Sequence, residues 1–113
     1  MVVKTERAGR AVIIRAEGEV DLYSSPSLRE AILDSVKKEL SPIVVNLSEV
    51  TYIDSSGVAT LVEGFQLAKR YSGIVRLVGL NERVSEVFKL ARLHQVFQIC
   101  QTESEALQIR PKR

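Results

Sequence analysis

Cysteine and histidine are almost missing from this sequence, and their scarcity excludes several kinds of site. The only cysteine, Cys100, leaves no partner for an internal disulfide and rules out a multi-cysteine zinc site. The only histidine, His94, argues against a histidine metal cluster or a catalytic triad. We therefore expect no metal site and no resident cofactor, and we interpret both residues as structural or surface groups.

Long apolar runs and a marked excess of one charge are missing too. No run approaches the ~20 residues of a membrane span, and the N-terminus lacks a long apolar signal core. The formal net charge is +2, and three of the basic residues, Arg110, Lys112 and Arg113, stand at the C-terminus. Because duplex binding needs clustered side chains that neutralise phosphates, nucleic acid is not expected as a direct partner. We expect a cytoplasmic protein that does not insert into a membrane.

What the sequence does contain is the pattern of a single α/β domain. Its 113 residues suffice for one domain, and 45% of them are hydrophobic. Short β-rich runs alternate with amphipathic stretches in the order β-β-α-β-α-β-α-β-α, which indicates a mostly parallel sheet with helices packed against it. The first two runs, Val2–Glu6 and Ala11–Ala16, flank Arg7–Arg10 and predict a hairpin that adds an antiparallel edge. The predicted fold class is therefore α/β with a mixed sheet.

Caps and apolar stripes set the predicted bounds of the elements. Ser25 is predicted to cap the first helix, with Pro26 at its first helical position. Asn81 is predicted to cap the third helix, and Thr102 with Glu105 matches a capping box for a short terminal helix. Further strands are predicted over 43–47, 74–78 and 96–100. The buried stripe of the second helix is predicted to consist of Val58, Leu61, Val62, Phe65 and Ala68.

The segment Asn46–Val58, which ends in Tyr-Ile-Asp-Ser-Ser-Gly-Val, carries the most chemical information. A buried strand is predicted to run through a loop into a helix that begins near Asp54. Functional groups cluster beyond the carboxyl ends of strands in open α/β sheets, and a helix start favours phosphate. Ser55 and Ser56 lie in this first turn, and Gly57 adds no bulk. We expect the fold to tolerate a phosphoryl group there, while its charge of about −1.5 to −2 acts on a docked partner.

Taken alone, these residues also have simpler explanations. Asp54 is typical of an N-cap, and Ser-Ser-Gly of an ordinary helix opening. Asp21, at the end of the second strand run, is typical of a solvated loop or cap. An enzyme that uses Ser55 or Ser56 as a nucleophile needs a paired base, which the sequence does not show. Phosphate-loop, dinucleotide and nucleophile-elbow motifs are absent, so we predict that the protein is not an enzyme.

The chain resembles the STAS domains, and most closely the stand-alone anti-sigma factor antagonists of bacteria. The resemblance covers nearly all 113 positions. It rests on the order and spacing of five segments, at 18–21, 43–47, 52–58, 74–79 and 84–93. It implies a STAS domain over 1–109, followed by a basic C-terminal tail over 110–113 to which we assign no role.

What the resemblance implies is a protein switch controlled by phosphorylation. In this family the unphosphorylated antagonist binds an anti-sigma factor that is also a serine kinase, and so frees a sigma factor for transcription. The kinase uses ATP and magnesium to phosphorylate a serine of the motif, which weakens the complex, and a serine phosphatase restores the active form. The acceptor position carried over from the family is Ser56. The positions carried over as neighbours of the phosphorylation site or as partner contacts are Asp21, Tyr23, Ser24, Asp54, Ser55 and Gly57.

The partner surface is expected to comprise the first turns of the Ser56 helix and the Asp21–Ser25 loop. Ala59, Gly64 and Leu67, which lie off the predicted buried stripe, are expected to extend it. An alternative within the same fold is a scaffold subunit that is not phosphorylated. Such a subunit serves a lipid-transport ABC complex, where it docks on the partner ATPase, or a stress-signalling assembly.

Overall fold

The computed structural model describes residues 1–108, which form a five-stranded sheet with helices on both faces. The predicted basic tail at 110–113 lies outside the described residues. The strands follow chain order across the sheet: β1 (Val2–Ala8), β2 (Ala11–Val20), β3 (Ile43–Ile53), β4 (Val75–Val78) and β5 (Gln98–Cys100). The β1–β2 pair is antiparallel and the other three pairs are parallel, which confirms the predicted mixed sheet.

Three helices cover one face of the sheet and a short fourth helix covers part of the other. The helices are α1 (Ser25–Lys37), α2 (Ser55–Lys69), α3 (Glu82–Leu90) and α4 (Glu103–Ala106), with a 3₁₀ turn at Leu93–Gln95. The main core joins α1, α2 and α3 to alternate strand residues such as Ile14, Val45 and Leu77. The intervening strand residues Ile13, Val44 and Val78 pack with Ala106 of α4 on the opposite face. The predicted element order is thus confirmed.

The first three strands are longer than predicted, and β3 is longer because the segment after Leu47 is not a loop. β3 continues to Ile53, and its extension pairs with the end of β2 from Glu17 to Val20. Val50 and Ile53 are buried in this extension, whereas most of the residues around them are exposed. With only one covered face, the extension lacks the continuous apolar run by which the first half of β3 was identified.

The start of α1 differs from the prediction that Ser25 caps it. Ser24 occupies the N-cap position without a side-chain capping bond, and Ser25 is the first helical residue. The Ser25 N–H instead donates to the carbonyl of Asp21 at 2.8 Å. Because the preceding turn satisfies this end of the helix, a serine cap is not needed there.

The buried side of α2 is rotated relative to the predicted stripe. Leu61 and Ala68 are buried as predicted, but the other three members of the stripe, Val58, Val62 and Phe65, are only half-buried. Thr60 and Gly64 are buried instead. A Cβ at Gly64 would lie 2.6 Å from Cγ2 of Ile32 in α1. The close approach of α1 therefore turns α2, and the prediction that Gly64 extends the partner surface is wrong.

Candidate functional site

The candidate site lies where β3 ends and α2 begins, at the carboxyl edge of the parallel strands. The Asp54 N–H donates to the carbonyl of Val20 at 3.1 Å, so the ends of β2 and β3 are tied together. Asp54 also caps α2, because its Oδ1 accepts the N–H groups of Ser56 at 2.9 Å and of Gly57 at 3.2 Å. The predicted cap is confirmed.

The hydroxyl of Ser56 donates to Oδ1 of Asp54 at 2.5 Å. This bond, followed by the N–H bonds of Gly57 and Ser56, holds the pKa of Asp54 below its ordinary value, against the opposing effect of partial desolvation. The carboxylate is therefore ionised at neutral pH and keeps the hydroxyl oriented. Ser56 is half-buried, and Ser55 beside it is exposed. The arrangement directs the hydroxyl proton to Asp54 and leaves the oxygen lone pairs of Ser56 for reaction with an electrophile.

The N–H groups at the start of α2 are less available than the sequence alone suggests. Two of them already bond to Asp54. A phosphate on Ser56 would replace the proton that now lies between Ser56 and Asp54, and it would place a second negative charge beside the carboxylate. The helix end therefore offers such a phosphate little neutralisation, and the added charge stays at the surface.

Gly57 fixes the position of the site because no larger residue fits there. A Cβ at Gly57 would lie 2.6 Å from Cγ1 of Val20 and 2.7 Å from Cγ1 of Ile53. Real Cβ atoms do not approach other carbons so closely, so the first turn of α2 packs directly on the ends of β2 and β3. This contact brings Ser56 next to the loop that follows β2.

That loop, from Asp21 to Ser24, is closed by its own side chains. Oδ1 of Asp21 accepts the N–H groups of Tyr23 and Ser24, each at 3.0 Å. The Ser24 hydroxyl accepts the Asp21 N–H at 2.9 Å and donates to the carbonyl of Glu19 at 2.7 Å. As a result two large side chains project outward: Tyr23 is 90% exposed and Leu22 is 68% exposed. The loop is a fixed platform that displays apolar and aromatic surface.

Asp54 connects this loop to α2. The backbone N–H of Leu22 faces its carboxylate and makes the smallest of the contributions that hold the pKa of Asp54 below its ordinary value. Within the described part of the chain, neither Asp21 nor Tyr23 forms a hydrogen bond with Ser56, so the predicted neighbours meet through Asp54 rather than directly. Leu22 lies within the Asp21–Ser25 loop of the predicted partner surface, but it was not named there as an individual contact residue. Its signal in the sequence is an apolar residue between two polar ones just after a strand.

An apolar groove adjoins the site on its other side, between α2 and α3. The groove has a volume of about 420 Å³, and Ser55 lies in its wall. Ala59 and Leu67 were both expected to extend the partner surface. Ala59 is exposed and lines this groove, whereas Leu67 is half-buried and does not line it. The residues that line the groove are Ser55, Val58, Ala59, Val62, Glu63, Gln66, Val87 and Ala91.

Residues 1–108 hold no group of three or more His, Cys, Asp or Glu side chains placed to bind a metal ion. His94 is exposed in the 3₁₀ turn, and Cys100 packs half-buried against the smaller core cluster. None of the helices in residues 1–108 has the length and apolar character needed to cross a membrane.

Comparison with known proteins gives consistent matches over nearly the whole chain. A family model described as the STAS domain matches residues 2–106. The anti-sigma-B factor antagonist of Listeria monocytogenes is 30% identical over 100 residues, which cover 88% of each chain. The anti-sigma factor antagonist SpoIIAA, in the structure of its unphosphorylated form, is 25% identical with a TM-score of 0.82 over 94% of this chain and 93% of its own. An anti-sigma factor antagonist from Mycobacterium paratuberculosis shares the fold, with 23% identity and a TM-score of 0.85 over 94% and 90% of the two chains.

Proposed function

The chain belongs to the STAS domain family, and from this premise we propose that it is a cytoplasmic anti-sigma factor antagonist switched off by phosphorylation of Ser56. The relative from Listeria and SpoIIAA both carry the name of anti-sigma factor antagonist. One observation carries the finer part of the proposal. The Ser56 hydroxyl is held by Asp54 at the start of α2, at the edge of the sheet where a partner can reach it.

The docking surface of the unphosphorylated protein lies on both sides of Ser56. On one side the Asp21–Ser24 loop presents Leu22 and Tyr23, which provide exposed apolar contact area on a closed turn. On the other side Ser55 leads into the apolar groove between α2 and α3. An anti-sigma factor that covers both sides places its own active site over Ser56.

The phosphorylation step transfers the γ-phosphoryl group of ATP to Ser56. A bond forms between Oγ of Ser56 and the γ-phosphorus, the bond from that phosphorus to the bridging oxygen breaks, and ADP leaves. The hydroxyl proton of Ser56 passes to the Asp54 carboxylate, which already accepts its hydrogen bond, and from there to solvent. The partner kinase supplies ATP and magnesium as co-substrates, while this chain supplies the hydroxyl, oriented by Asp54 at 2.5 Å. A serine phosphatase reverses the step by hydrolysis.

The phosphorylated form loses affinity for electrostatic reasons. The phosphate adds a charge of about −1.5 to −2 next to the ionised Asp54, and nearby Asp21 is a second carboxylate. Two N–H groups of the helix start remain bonded to Asp54, so they do not neutralise the phosphate. The fold keeps its cap on α2, and the partner meets a more negative surface.

The proposal is tested by incubating the protein with the anti-sigma factor kinases of its source organism, ATP and magnesium, followed by mass spectrometry. We expect one phosphate on Ser56 in the unaltered protein and in Ser55→Ala, and none in Ser56→Ala. Ser55→Ala is the matched control because it removes the adjacent exposed hydroxyl. No phosphate on Ser56 with a kinase that binds the protein would contradict the proposal and favour a scaffold subunit.

A further inference from the structure

The sheet has an open edge at β1, and this edge is independent of the Ser56 site. Six of the seven residues of β1 are exposed, and only Val3 is half-buried. An edge strand presents backbone N–H and C=O groups that can pair with another chain. β2 lies between β1 and β3, the strand that leads into the Ser56 helix. A molecule that pairs with β1 therefore leaves that helix open.

The hairpin determines which backbone groups of β1 point outward. Ala8 lies opposite Ala11 across the two-residue turn of Gly9 and Arg10. Gly9 has φ of +65°, as expected for a turn that matches the twist of a hairpin, and such a turn is closed by a hydrogen-bonded pair. Bonding alternates along an antiparallel ladder. The residues of β1 whose backbone groups point away from β2 are therefore Val3, Thr5 and Arg7.

We propose that β1 is a self-association edge, which pairs antiparallel with β1 of a second copy of this chain, centred on Thr5. In this register Thr5 faces Thr5 of the second copy, and Val3 faces Arg7. These are the residues with outward backbone groups, so each pair forms hydrogen bonds. Lys4 then lies opposite Glu6 of the second copy, at a position where the side chains of two strands come closest.

The order of charges along β1 is complementary to itself in this register. Within one chain Lys4 lies opposite Arg15, and like charges in that position are unfavourable. Lys4 forms no ion pair with any carboxylate of residues 1–108. Glu6 bonds to Arg15 at 2.8 Å through Oε1, which leaves its other oxygen for Lys4 of the second copy. Charged side chains on an edge strand usually prevent it from pairing with another chain. In this register, however, Lys4 of each copy faces Glu6 of the other, so two pairs of opposite charge form.

The face of β1 that carries Val3, Thr5 and Arg7 lies opposite the face with the charged pairs, and it is also suited to a second copy. A groove of about 520 Å³ lies between β1 and α1, with Val3, Thr5 and Arg7 in its sheet wall. Glu30, Asp34 and Lys38 line its α1 wall, where Lys38 forms an ion pair with Asp34 at 3.1 Å. Because Arg7 of the second copy stands opposite Val3, its guanidinium enters this groove near Glu30, which forms no ion pair within residues 1–108.

The test is the molar mass of the full chain, measured by sedimentation equilibrium over a wide range of concentration at low ionic strength. We expect the mass to rise from that of one chain toward that of two. Lys4→Glu replaces two attractive cross-strand pairs by two repulsive ones and should weaken the dimer by at least about tenfold. Lys89→Glu makes the same charge change on the exposed side of α3 and should leave the dimer unaffected.

Two further variants test the register itself. Thr5→Pro removes only an outward N–H, which edge strands tolerate, so it should abolish the dimer while the thermal unfolding midpoint stays within a few degrees. The double variant Lys4→Glu with Glu6→Lys restores both cross-strand pairs and should restore the dimer. A chain that stays monomeric at every concentration would overturn the proposal. A dimer unaffected by Lys4→Glu and Thr5→Pro would overturn it equally, because it would form through another surface.

Discussion

Asp54 has two roles at the start of α2, as a cap and as the acceptor of the Ser56 hydroxyl. The first role was predictable, since aspartate before a short polar turn is a common N-cap. The second depends on the rotamer of Ser56, which the sequence does not specify. A phosphate placed on Ser56 would therefore meet a helix start that a carboxylate already occupies.

The bond between Ser56 and Asp54 predicts a measurable change in acidity. In Ser56→Ala the largest cause of the lowered pKa of Asp54 is removed, so the pKa of Asp54 should rise toward its ordinary value. Carbon-13 NMR titration of the Asp54 carboxyl group measures this directly. Ser55→Ala should leave the titration unchanged. An unchanged pKa in Ser56→Ala would show that the hydroxyl does not bond to Asp54 in solution.

Gly57 is the residue at which a small substitution should be most costly for the site. Gly57→Ala places a Cβ within 2.7 Å of side-chain atoms from Val20 and Ile53. Overpacking of this kind lowers the free energy of unfolding by ~1–3 kcal/mol. Urea unfolding at neutral pH measures the loss, and exposed Ser55→Ala is the control, with a change within about 0.5 kcal/mol. A Gly57→Ala variant as stable as this control would mean that the first turn of α2 can move away from the strands.

At the scale of secondary structure, predictions succeeded where local chemistry dominates. The oxygen of Asn81 caps α3 by accepting the Val84 N–H at 2.8 Å, and the Thr102 hydroxyl caps α4 by accepting the Glu105 N–H at 3.1 Å. The Ser25 cap was wrong because the Ser25 N–H bonds to the carbonyl of Asp21 in the preceding turn. Predictions also failed where tertiary contacts decide, as at Gly64, which packs against Ile32 of α1. The predicted last strand over 96–100 is likewise shortened to Gln98–Cys100, because residues 93–95 form a 3₁₀ turn.

The short helix α4 illustrates how side-chain contacts hold an element too short to be stable alone. Arg15 of β2 bonds to both carboxylate oxygens of Glu103, each at 2.7 Å, and Asn46 donates to Glu103 at 2.6 Å. The guanidinium of Arg76 donates to the carbonyl of Ala106, the last residue of α4, and to that of Gln108 just beyond it. These contacts attach α4 to the otherwise open face of the sheet.

The attachment of α4 should depend on pH through Glu103. Arg15 first and Asn46 second hold the pKa of Glu103 below its ordinary value, against desolvation. The contribution of Glu103 to stability is therefore complete above its unfolded-state pKa of about 4.3 and is lost as pH falls through the lower folded-state value. In urea unfolding, Glu103→Gln should be less stable than the unaltered protein at neutral pH, and the deficit should shrink near pH 3. Glu86→Gln, on the exposed side of α3, is the control, and a deficit of Glu103→Gln that stays constant with pH would contradict this origin.

At the scale of the whole molecule, the sheet and its helices followed from the alternation of apolar runs, and the family from the order of its segments. The meeting of the Asp21–Ser24 loop with the start of α2 could not be derived from spacing, because it depends on how β2 and β3 pair. The parallel pairing of Val20 with Ile53 brings both segments to one edge. The exposure of Leu22 and the rotation of α2 against α1 also depend on packing, so they could not be derived from the spacing of residues either.

The central claim is that one phosphate on Ser56 weakens docking without disturbing the fold. Isothermal titration of the partner kinase with unphosphorylated and with Ser56-phosphorylated protein tests it most directly, with far-UV circular dichroism to compare the two folds. We expect the same circular dichroism spectrum and a dissociation constant raised by at least about tenfold, or ~1.4 kcal/mol. Equal affinities for the two forms, with the phosphate on Ser56 verified, would contradict the account.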